Sequence, residues 1–525
     1  MTLKRNLLHV LFLIVCNLRI TLCYVFVSTN NGIVSGYNLD LQGYNVVGSQ
    51  ISSLNIFLGI PYAEPPVGIL RFARPVPKTP WYPSRLNASH YSPACPQSTW
   101  FLRKYSFDSN YNNTDEDCLY LNIYSPRDLA NPNSTYPVLF WIHGGSYKYG
   151  SGAEYDGRIL AQEGVVVVTI NYRLGVMGLF NSVIAQSGCS LSPWAIYRPP
   201  HSIRTYSETL AREVGCPTNS SSDLIDCLRS KDSNLLINAI VLGPPMISAF
   251  APRVDGYYIH DLPEVLLARG EYIRHVNVLN GFLPDEVSED FESEPGIDDG
   301  LSMNHLEQLF YTKSRRYLTN ADEIFTALKC AYPPSNSDKI LNRDHLINMN
   351  SDYGYVAPHI KLSQKLSAKG ENVWMYEFTY RSANSLKKPW IGVPHSEELY
   401  YQFGAPFLDV TPCPNSRNVT CPVTCGKYQN WSIADKQVSL ETMKLWTGFA
   451  KLKQNSAIFP SSDESPHNWS QYSPGENILN ISTTITQEHL RKTNGVRFWD
   501  SFNYLNLSEH IPDVCHSESS ILVGK

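Results

Sequence analysis

The sequence His143-Gly144-Gly145-Ser146 directly follows an apolar run, Val138 to Ile142. A glycine turn at the end of a buried strand can present backbone N–H groups to a developing oxyanion. Such donors serve ester hydrolysis only together with a nucleophilic serine, a histidine base and an acid that orients the base. No G-x-S-x-G sequence, the mark of a serine on a strained strand-to-helix turn, occurs in the 525 residues. The chain therefore contains a candidate oxyanion hole without a candidate nucleophile of this kind.

The residues around this turn predict a piece of parallel sheet. Val138 to Ile142 is typical of a buried strand, a helical pattern follows around Ile159 to Gln162, and a β-branched run extends from Val165 to Ile170. Two apolar strands joined through a glycine turn and a helix form a βαβ unit, whose strands lie in a sheet covered on both faces. We therefore expect an α/β fold.

Composition and the N-terminus favour an exported globular protein. Hydrophobic residues make up 43% and charged residues 17% of the chain, which is typical of folded domains. A net charge of −5 without a basic patch argues against nucleic-acid binding. Lys4 and Arg5 precede a mostly apolar core from Leu7 to Cys16, which predicts a signal peptide over residues 1–24. No later segment approaches the ~20 apolar residues of a membrane span.

Four long motifs lie in the first third of the chain. They are FLGIPYAEPPVGILRFARP (Phe57 to Pro75), EDCLYLNIYSP (Glu116 to Pro126), WIHGGSYKYGSG (Trp141 to Gly152) and TINYRLGVMG (Thr169 to Gly178). Together they resemble the type-B carboxylesterase and cholinesterase family, and within it the neuroligins. The resemblance implies an α/β-hydrolase fold, a mostly parallel central sheet flanked by helices, over residues 25–510. Residues 511–525 would form a C-terminal tail.

The resemblance breaks where Gly178 adjoins Leu179. In the family, a crossover, a strand and the serine-bearing turn separate the segments that meet here. About two βα units, roughly sixty residues at about thirty each, are missing. We expect their loss to leave the strand Val165 to Ile170 without its neighbour and to lower the stability of the sheet.

The resemblance also implies which site residues remain. They are the base His395, the acid Glu286 and the oxyanion-hole-like Gly144, Gly145 and Ser146. Ser146 stands where the family usually has a third glycine. Without the serine these residues are expected to be non-functional remnants, and we do not expect an enzyme. Neither Ser146, Ser151 nor Ser187 lies on a predicted strand-to-helix turn that would let it substitute.

Cysteines and glycosylation sequences agree with export. The resemblance implies the disulfides Cys95–Cys118 and Cys216–Cys227. The pairing of six further cysteines stays open: Cys189, Cys330, Cys413, Cys421, Cys425 and Cys515. The cluster of Cys413, Cys421 and Cys425 lacks neighbouring histidines, and export favours disulfides, so no metal site is expected there. Nine Asn-x-Ser/Thr sequences are candidate glycosylation sites: Asn87, Asn112, Asn133, Asn219, Asn418, Asn430, Asn468, Asn480 and Asn506.

The neuroligin resemblance implies a non-catalytic adhesion ectodomain that binds neurexin-type receptors at synaptic contacts. No cofactor is expected. Calcium would enter only at the partner interface, near the acidic turn Asp298–Asp299, although a solvated loop is the plainer interpretation. Helices matching Ser439 to Leu452 and His489 to Leu505 form a dimer bundle in the family. Trp446 and Phe449 would then be buried between subunits, but the same period fits core packing.

An alternative function stays open beside adhesion. The chain would then be a truncated or exon-skipped isoform of a type-B carboxylesterase or cholinesterase, a carboxylic ester hydrolase without its catalytic serine. A tryptophan for cation binding is also not matched, since Trp100 lies at the wrong end of the first disulfide loop and Tyr111 is a weaker substitute.

Export is testable directly. The protein expressed in animal cells should lose its N-terminus near Tyr24 and carry N-linked glycans. Enzymatic removal of glycans should increase its mobility on a gel relative to an untreated sample. Unchanged mobility would contradict the expectation.

Overall fold

A computed structural model describes most of the chain. The described residues are 23–41, 46, 49, 51–97, 113–127, 134–173, 182–198, 202–243, 248–317, 321–408, 431–452, 469–473, 475–490 and 492–501. The junction of Gly178 and Leu179 lies outside them, as do Trp100, Tyr111 and the predicted signal peptide up to residue 22.

The described strands form two sheets. The first holds β1 (Cys23–Thr29), β2 (Gly32–Asp40), β3 (Ser53–Pro61), β4 (Arg85–Asn87), β5 (Tyr120–Arg127), β6 (Val138–Ile142) and β7 (Val166–Ile170). Its order is β1-β2-β3-β5-β7-β6, with β4 beside β2. The second holds β8 (Ser182–Gln186), β9 (Asn277–Phe282), β10 (Val373–Phe378), β11 (Asn477–Ile481) and β12 (Thr486–His489), in the order β12-β11-β10-β9-β8.

Helices cover these sheets and fill the long connections. The α-helices are α1 (Ile203–Glu213), α2 (Ser221–Ser230), α3 (Ser233–Asn238), α4 (Pro263–Arg269), α5 (Met303–Tyr317), α6 (Ala321–Ala331), α7 (Lys339–Ser351), α8 (Ala357–Ser367), α9 (Glu398–Gln402), α10 (Ile433–Ala450) and α11 (Asn494–Ser501). A π-helical turn, Asp352–Val356, joins α7 to α8. The helical pattern around Ile159 becomes a short 3₁₀ helix, Leu160–Glu163.

The fold is α/β with helices flanking the sheets, as expected, but strand pairing in the described residues is mixed and not mostly parallel. In the first sheet β1, β2, β3, β5 and β7 pair antiparallel in turn, and β6 pairs with β7 in parallel. In the second sheet β8, β9, β10 and β11 run parallel, and β12 is antiparallel to β11. The parallel character is thus concentrated in the second half of the chain.

The expectation that Val165 to Ile170 loses its neighbour is wrong. That strand, β7, pairs on one edge with β5 and on the other with β6. The strand at the end of the first sheet is β6, where Val138 is 59% and Phe140 41% exposed. A parallel crossover can place a strand outside its successor, so chain order misidentified the edge. The second sheet ends at β8.

Helix α10 packs against both sheets. It contacts β6, and Trp446 and Phe449 lie with ring centroids 4.9 and 5.8 Å from those of Tyr376 and Trp374 in β10. Both side chains are fully buried within the chain. The prediction that they would be buried between subunits is therefore wrong for these two side chains. Core packing, which the same periodicity allowed, is what the structure shows.

The two helices predicted for the dimer bundle begin at residues other than the predicted Ser439 and His489. Helix α10 begins with a capping box, in which the Ser432 side chain accepts from the Asp435 backbone N–H and the Asp435 carboxylate accepts from that of Ser432. Tyr380 and Tyr401 donate to the same buried carboxylate at 3.0 and 3.3 Å. The last helix starts only at Asn494, because the chain at His489 still belongs to β12.

Substitution of Trp446 by alanine tests how much the packing of α10 contributes to the free energy of unfolding. Trp446→Ala should lower the free energy of unfolding by about 3–5 kcal/mol, because it opens a cavity beside Tyr376. Ile433→Ala, on the same helix but 89% exposed, should change it by less than about 0.5 kcal/mol. Urea unfolding followed by tryptophan fluorescence and circular dichroism measures both. Similar values for the two variants would contradict the packing role.

Candidate functional site

His395 and Glu286 meet where two loops lie side by side. His395 Nδ1 lies 2.6 Å from Glu286 Oε2, and Glu286 is 2% exposed. The other carboxylate oxygen accepts from the Leu283 N–H, just after β9, at 3.0 Å. The backbone N–H of His395 also donates to the Glu286 carbonyl. The structure thus brings together the two residues that the sequence proposed as base and acid.

This contact controls the charge of His395. Burial alone would lower the pKa of the imidazole, but the hydrogen-bonded Glu286 carboxylate raises that pKa to about 9. The imidazole therefore carries a proton at neutral pH. A general base works best with a pKa near the operating pH, so His395 forms a stable ion pair and has little capacity to accept a proton.

The HGGS turn has positive φ at two of its residues. Gly145 has φ of 113° and Ser146 φ of 52°. A Cβ on Gly145 would lie 1.9 Å from the Tyr149 carbonyl oxygen, so only glycine fits. Ser146 occupies the left-handed region, which costs a side-chain-bearing residue on the order of 1 kcal/mol. That conformation explains why a glycine suits this position. Burial lowers the pKa of His143 to about 4, so its ring is neutral.

Aromatic contacts connect this turn to His395. The Tyr147 hydroxyl donates to the Ala195 carbonyl at 3.2 Å. The neighbouring Trp194 ring lies 5.7 Å from that of Tyr355, which in turn lies 5.4 Å from His395. The turn, the segment after β8 and the π-helical turn therefore form one continuous cluster beside the imidazole.

The remaining candidate serines do not complete a catalytic set. Ser151 is fully buried, where its hydroxyl donates to Asn171 at 3.1 Å and caps a 3₁₀ helix. Ser187 follows β8 with φ of 49°, a strained turn that the sequence did not predict. It is 4% exposed, and no helix starts there. Among the described residues no hydrogen bond joins Ser146, Ser151 or Ser187 to His395.

A buried polar network beside the ion pair was missed by sequence reasoning. Gln186, at the end of β8, donates to Glu398 at 3.1 Å and to Gln402 at 2.9 Å. It accepts from the Trp446 indole at 3.0 Å. Burial, reinforced by the negative Glu286, raises the pKa of Glu398 to about 7. The only sequence signal was the pair of glutamates, Glu397 and Glu398, soon after His395.

Cysteines and sequons are placed as follows. The structure joins Cys95 to Cys118 and Cys216 to Cys227, the pairs that the resemblance implies. Cys330 is also disulfide-bonded, and Cys189 is a buried free thiol. Cys413, Cys421, Cys425 and Cys515 lie outside the described residues.

Three of the nine sequons are described. Asn87 and Asn219 are exposed. Asn480 lies in β11, where its amide binds Thr379 and Glu488, so it is the least suited to a glycan. The other six asparagines, Asn112, Asn133, Asn418, Asn430, Asn468 and Asn506, fall outside the described part of the chain.

The acidic turn has partners within the chain. Both Asp298 carboxylate oxygens accept from Lys388, and the Trp390 indole donates to one of them at 2.7 Å. The Lys388 contact, followed by that of Trp390, lowers the pKa of Asp298. The described residues contain no cluster of three or more His, Cys, Asp or Glu suited to a metal ion. They also contain no helix with the length and apolar character to cross a membrane.

Comparison with known proteins agrees with this geometry. The mouse proteins Neuroligin-3 and Neuroligin-2 are 27% and 28% identical to the chain, over 88% and 94% of it and 69% and 68% of their own lengths. Acetylcholinesterase of Bungarus fasciatus is 28% identical over 93% of the chain and 88% of its own length.

The comparisons also locate the break. The aligned stretch with Neuroligin-3 runs over 590 positions, more than the 525 residues of this chain, so it passes over positions that the chain lacks. The model of the Carboxylesterase family matches in two pieces, residues 24–182 and 177–499, which meet where Gly178 adjoins Leu179. Together the pieces cover nearly the whole chain, which belongs to the carboxylesterase family.

Proposed function

We propose that this chain is a non-catalytic, neuroligin-like cell-adhesion ectodomain. The observation that carries the proposal is an intact His395–Glu286 pair in a sequence without a G-x-S-x-G serine. The pair keeps the arrangement that orients a base, while the base is held as a cation and has no nucleophile to serve. The resemblance to neuroligins implies that such a His–Glu pair is present in a protein that does not hydrolyse esters.

Two features of the chain disfavour ester hydrolysis. Acyl transfer begins when a base removes a proton from the serine hydroxyl, and His395 with a pKa of about 9 already carries one at neutral pH. The family match breaks at 177–182, between the strands that precede and follow the usual position of the nucleophile. The match to an acetylcholinesterase keeps one alternative, a truncated isoform of an ester hydrolase that has lost its serine.

The proposed partner is a neurexin-type receptor on a facing cell. Similarity to Neuroligin-2 and Neuroligin-3 over most of the chain supports this class of partner. Calcium belongs to the proposal only at the partner interface, because Asp298 is already neutralised by Lys388 within the chain. No cofactor and no nucleic acid are part of it.

A homodimer remains part of the proposal, but with a different surface. Trp446 and Phe449 are buried in the chain itself, so α10 can offer only its outer face. That face includes the exposed side chains of Ile433 and Gln437. Light scattering at micromolar concentration should then give twice the chain mass, and a monomer mass would end this part of the proposal.

Absence of hydrolysis is the first test. Purified protein should turn over a chromogenic short-chain ester or acetylthiocholine no faster than buffer, because it lacks a nucleophile. His395→Ala serves as the matched control and should give the same background. Turnover above buffer that disappears in the variant would refute the non-catalytic proposal.

The charge of His395 provides a second test. Its imidazole should titrate in NMR near pH 9, with His395→Asn to assign the signal. Glu286→Gln should lower the midpoint, because it removes the hydrogen-bonded carboxylate that raises this pKa most, while Glu398 and Asp290 still raise it. Because the folded pKa is raised, the pair's contribution to stability should be complete below about pH 6.5 and lost as pH rises through about 9. A wild-type midpoint at or below 6.5 would contradict the ion pair.

Partner binding is the third test. Immobilised neurexin ectodomain should retain the purified protein in the presence of calcium and release it when calcium is chelated. Mouse Neuroligin-2 ectodomain is the positive control. Failure to bind with or without calcium, by protein that is folded by circular dichroism, would overturn the adhesion proposal.

A further inference from the structure

A chain of hydrogen bonds fixes helix α11 to the body of the protein. The Trp499 indole N–H in α11 donates to the Tyr332 hydroxyl at 3.1 Å, and that hydroxyl donates to Asp352 Oδ2 at 2.7 Å. Tyr332 directly follows α6, and Asp352 is the first residue of the π-helical turn. All three residues are buried. Three separate elements are therefore joined through one buried carboxyl group.

Close packing surrounds this hydrogen-bond chain. The Trp499 ring lies 4.7 Å from that of Tyr353, the second residue of the π-helical turn. A Cβ at Gly495, near the start of α11, would collide with the Tyr332 hydroxyl, so glycine is needed for this close approach. Helix α11 contacts α6, α8 and the π-helical turn. Opening of α11 would therefore remove the indole donor and give water access to Tyr332 and Asp352.

The carboxyl group of Asp352 favours its protonated form when this packing is intact. Burial raises its pKa from 3.8 to about 7, against the Tyr332 hydrogen bond, which lowers it, and the negative Glu377 raises it further. An open α11 would return the group to water and to its ordinary pKa. Because the pKa is raised in the closed state, closure should be most stable below about pH 4 and should weaken as pH rises through about 7.

Three other elements bring titratable groups to this site. Glu377 in β10 has a pKa that burial raises to about 7, so it acts in the same direction. His345 in α7 lies 6.2 Å from the Tyr332 ring, and burial lowers its pKa, so it acts in the opposite direction below pH 6.5. Lys313 in α5 lies 4.7 Å from the Tyr353 ring centroid, and burial lowers its pKa to about 7. Its effect on stability therefore falls above pH 7.

Charged groups also hold the last turn of α11. Lys361 in α8 donates to the Asp500 carbonyl at 2.8 Å, and the Lys492 ammonium lies 3.9 Å from the Asp500 carboxylate and 2.9 Å from that of Glu476. Burial raises the pKa of Asp500, so this group also favours the docked helix at lower pH. Burial lowers the pKa of Lys361, which acts in the opposite direction.

We propose that the Trp499–Tyr332–Asp352 hydrogen-bond chain is a proton-dependent latch, which holds α11 on the protein when Asp352 is protonated and loosens it when Asp352 is ionised. A buried ionised carboxylate is stabilised when water reaches it, and opening of α11 provides that access. π-helical turns are frequent at functional sites, and this one supplies both Asp352 and the Tyr353 ring that packs on Trp499. The latch requires neither a catalytic serine nor a partner protein.

Hydrogen exchange measured by mass spectrometry over a range of pH tests the latch. The exchange rates of the α11 amides in the full chain are divided by their intrinsic rates at each pH, so that the remaining change reports opening of the helix. Protection of α11 should be about tenfold greater at about pH 5.5 than at about pH 7.5, because closure takes up a proton across this range.

Matched variants show whether Asp352 is the group responsible. Asp352→Asn keeps an acceptor for Tyr332 but cannot ionise, so α11 protection should become much less dependent on pH. Asp322→Asn, at an exposed residue in the first turn of α6, is the control and should keep the wild-type dependence. Glu377→Gln should move the midpoint to lower pH without removing the change, because Glu377 raises the pKa of Asp352.

A second variant serves if Asp352→Asn does not fold. Tyr332→Phe removes the hydrogen bond that lowers the pKa of Asp352, so the midpoint of the change should move to higher pH.

Two results would overturn the proposal. One is wild-type protection of α11 that stays constant or increases as pH rises across the tested range. The other is an equal pH dependence in wild type and Asp352→Asn, which would assign the change to Glu377, Asp500 or another group.

Discussion

The packing of α10 across both sheets is the interaction on which the rest of the fold depends. Between β6 and β8 no backbone ladder joins the sheets in the described part of the chain. Side chains provide the connection instead, with Trp446 on Tyr376, Phe449 on Trp374 and the helix against β6. Burial of this kind is non-directional, so it can hold two sheets together without specifying the hydrogen bonds of a strand between them.

The His395–Glu286 pair has a structural role that does not require catalysis. One Glu286 oxygen accepts from the Leu283 N–H while the other binds the imidazole, and the backbones of the two loops are also hydrogen-bonded. Removing the histidine would leave a carboxylate that is 2% exposed with half its contacts, and an unpaired buried charge is strongly destabilising. The pair therefore contributes to stability whether or not the protein has catalytic activity.

Sequence patterns predicted the strands at Val138 and Val166, and the family resemblance implied the two disulfide pairs and the pairing of His395 with Glu286. They failed where long-range topology decides the outcome. Chain order suggested that β7 loses its neighbour, whereas the crossover leaves β6 at the edge. Periodicity could not distinguish an interface from a core for Trp446, and the bonds of Gln186 to residues beyond 390 follow no local pattern. Such contacts are set by tertiary packing, which local spacing does not encode.

The division of the sheet also orders events during synthesis. Every strand of the first sheet precedes residue 171, and every strand of the second follows residue 181. The first ladder can therefore form on the ribosome, while α10, which packs on β6, ends only at Ala450. At about 5–20 residues per second, the part of β6 that α10 will cover stays exposed for roughly 15–60 s after β6 itself is synthesised. An apolar strand exposed for that long is a binding site for chaperones, so cellular yield depends on chaperone supply as well as on the stability of the finished fold.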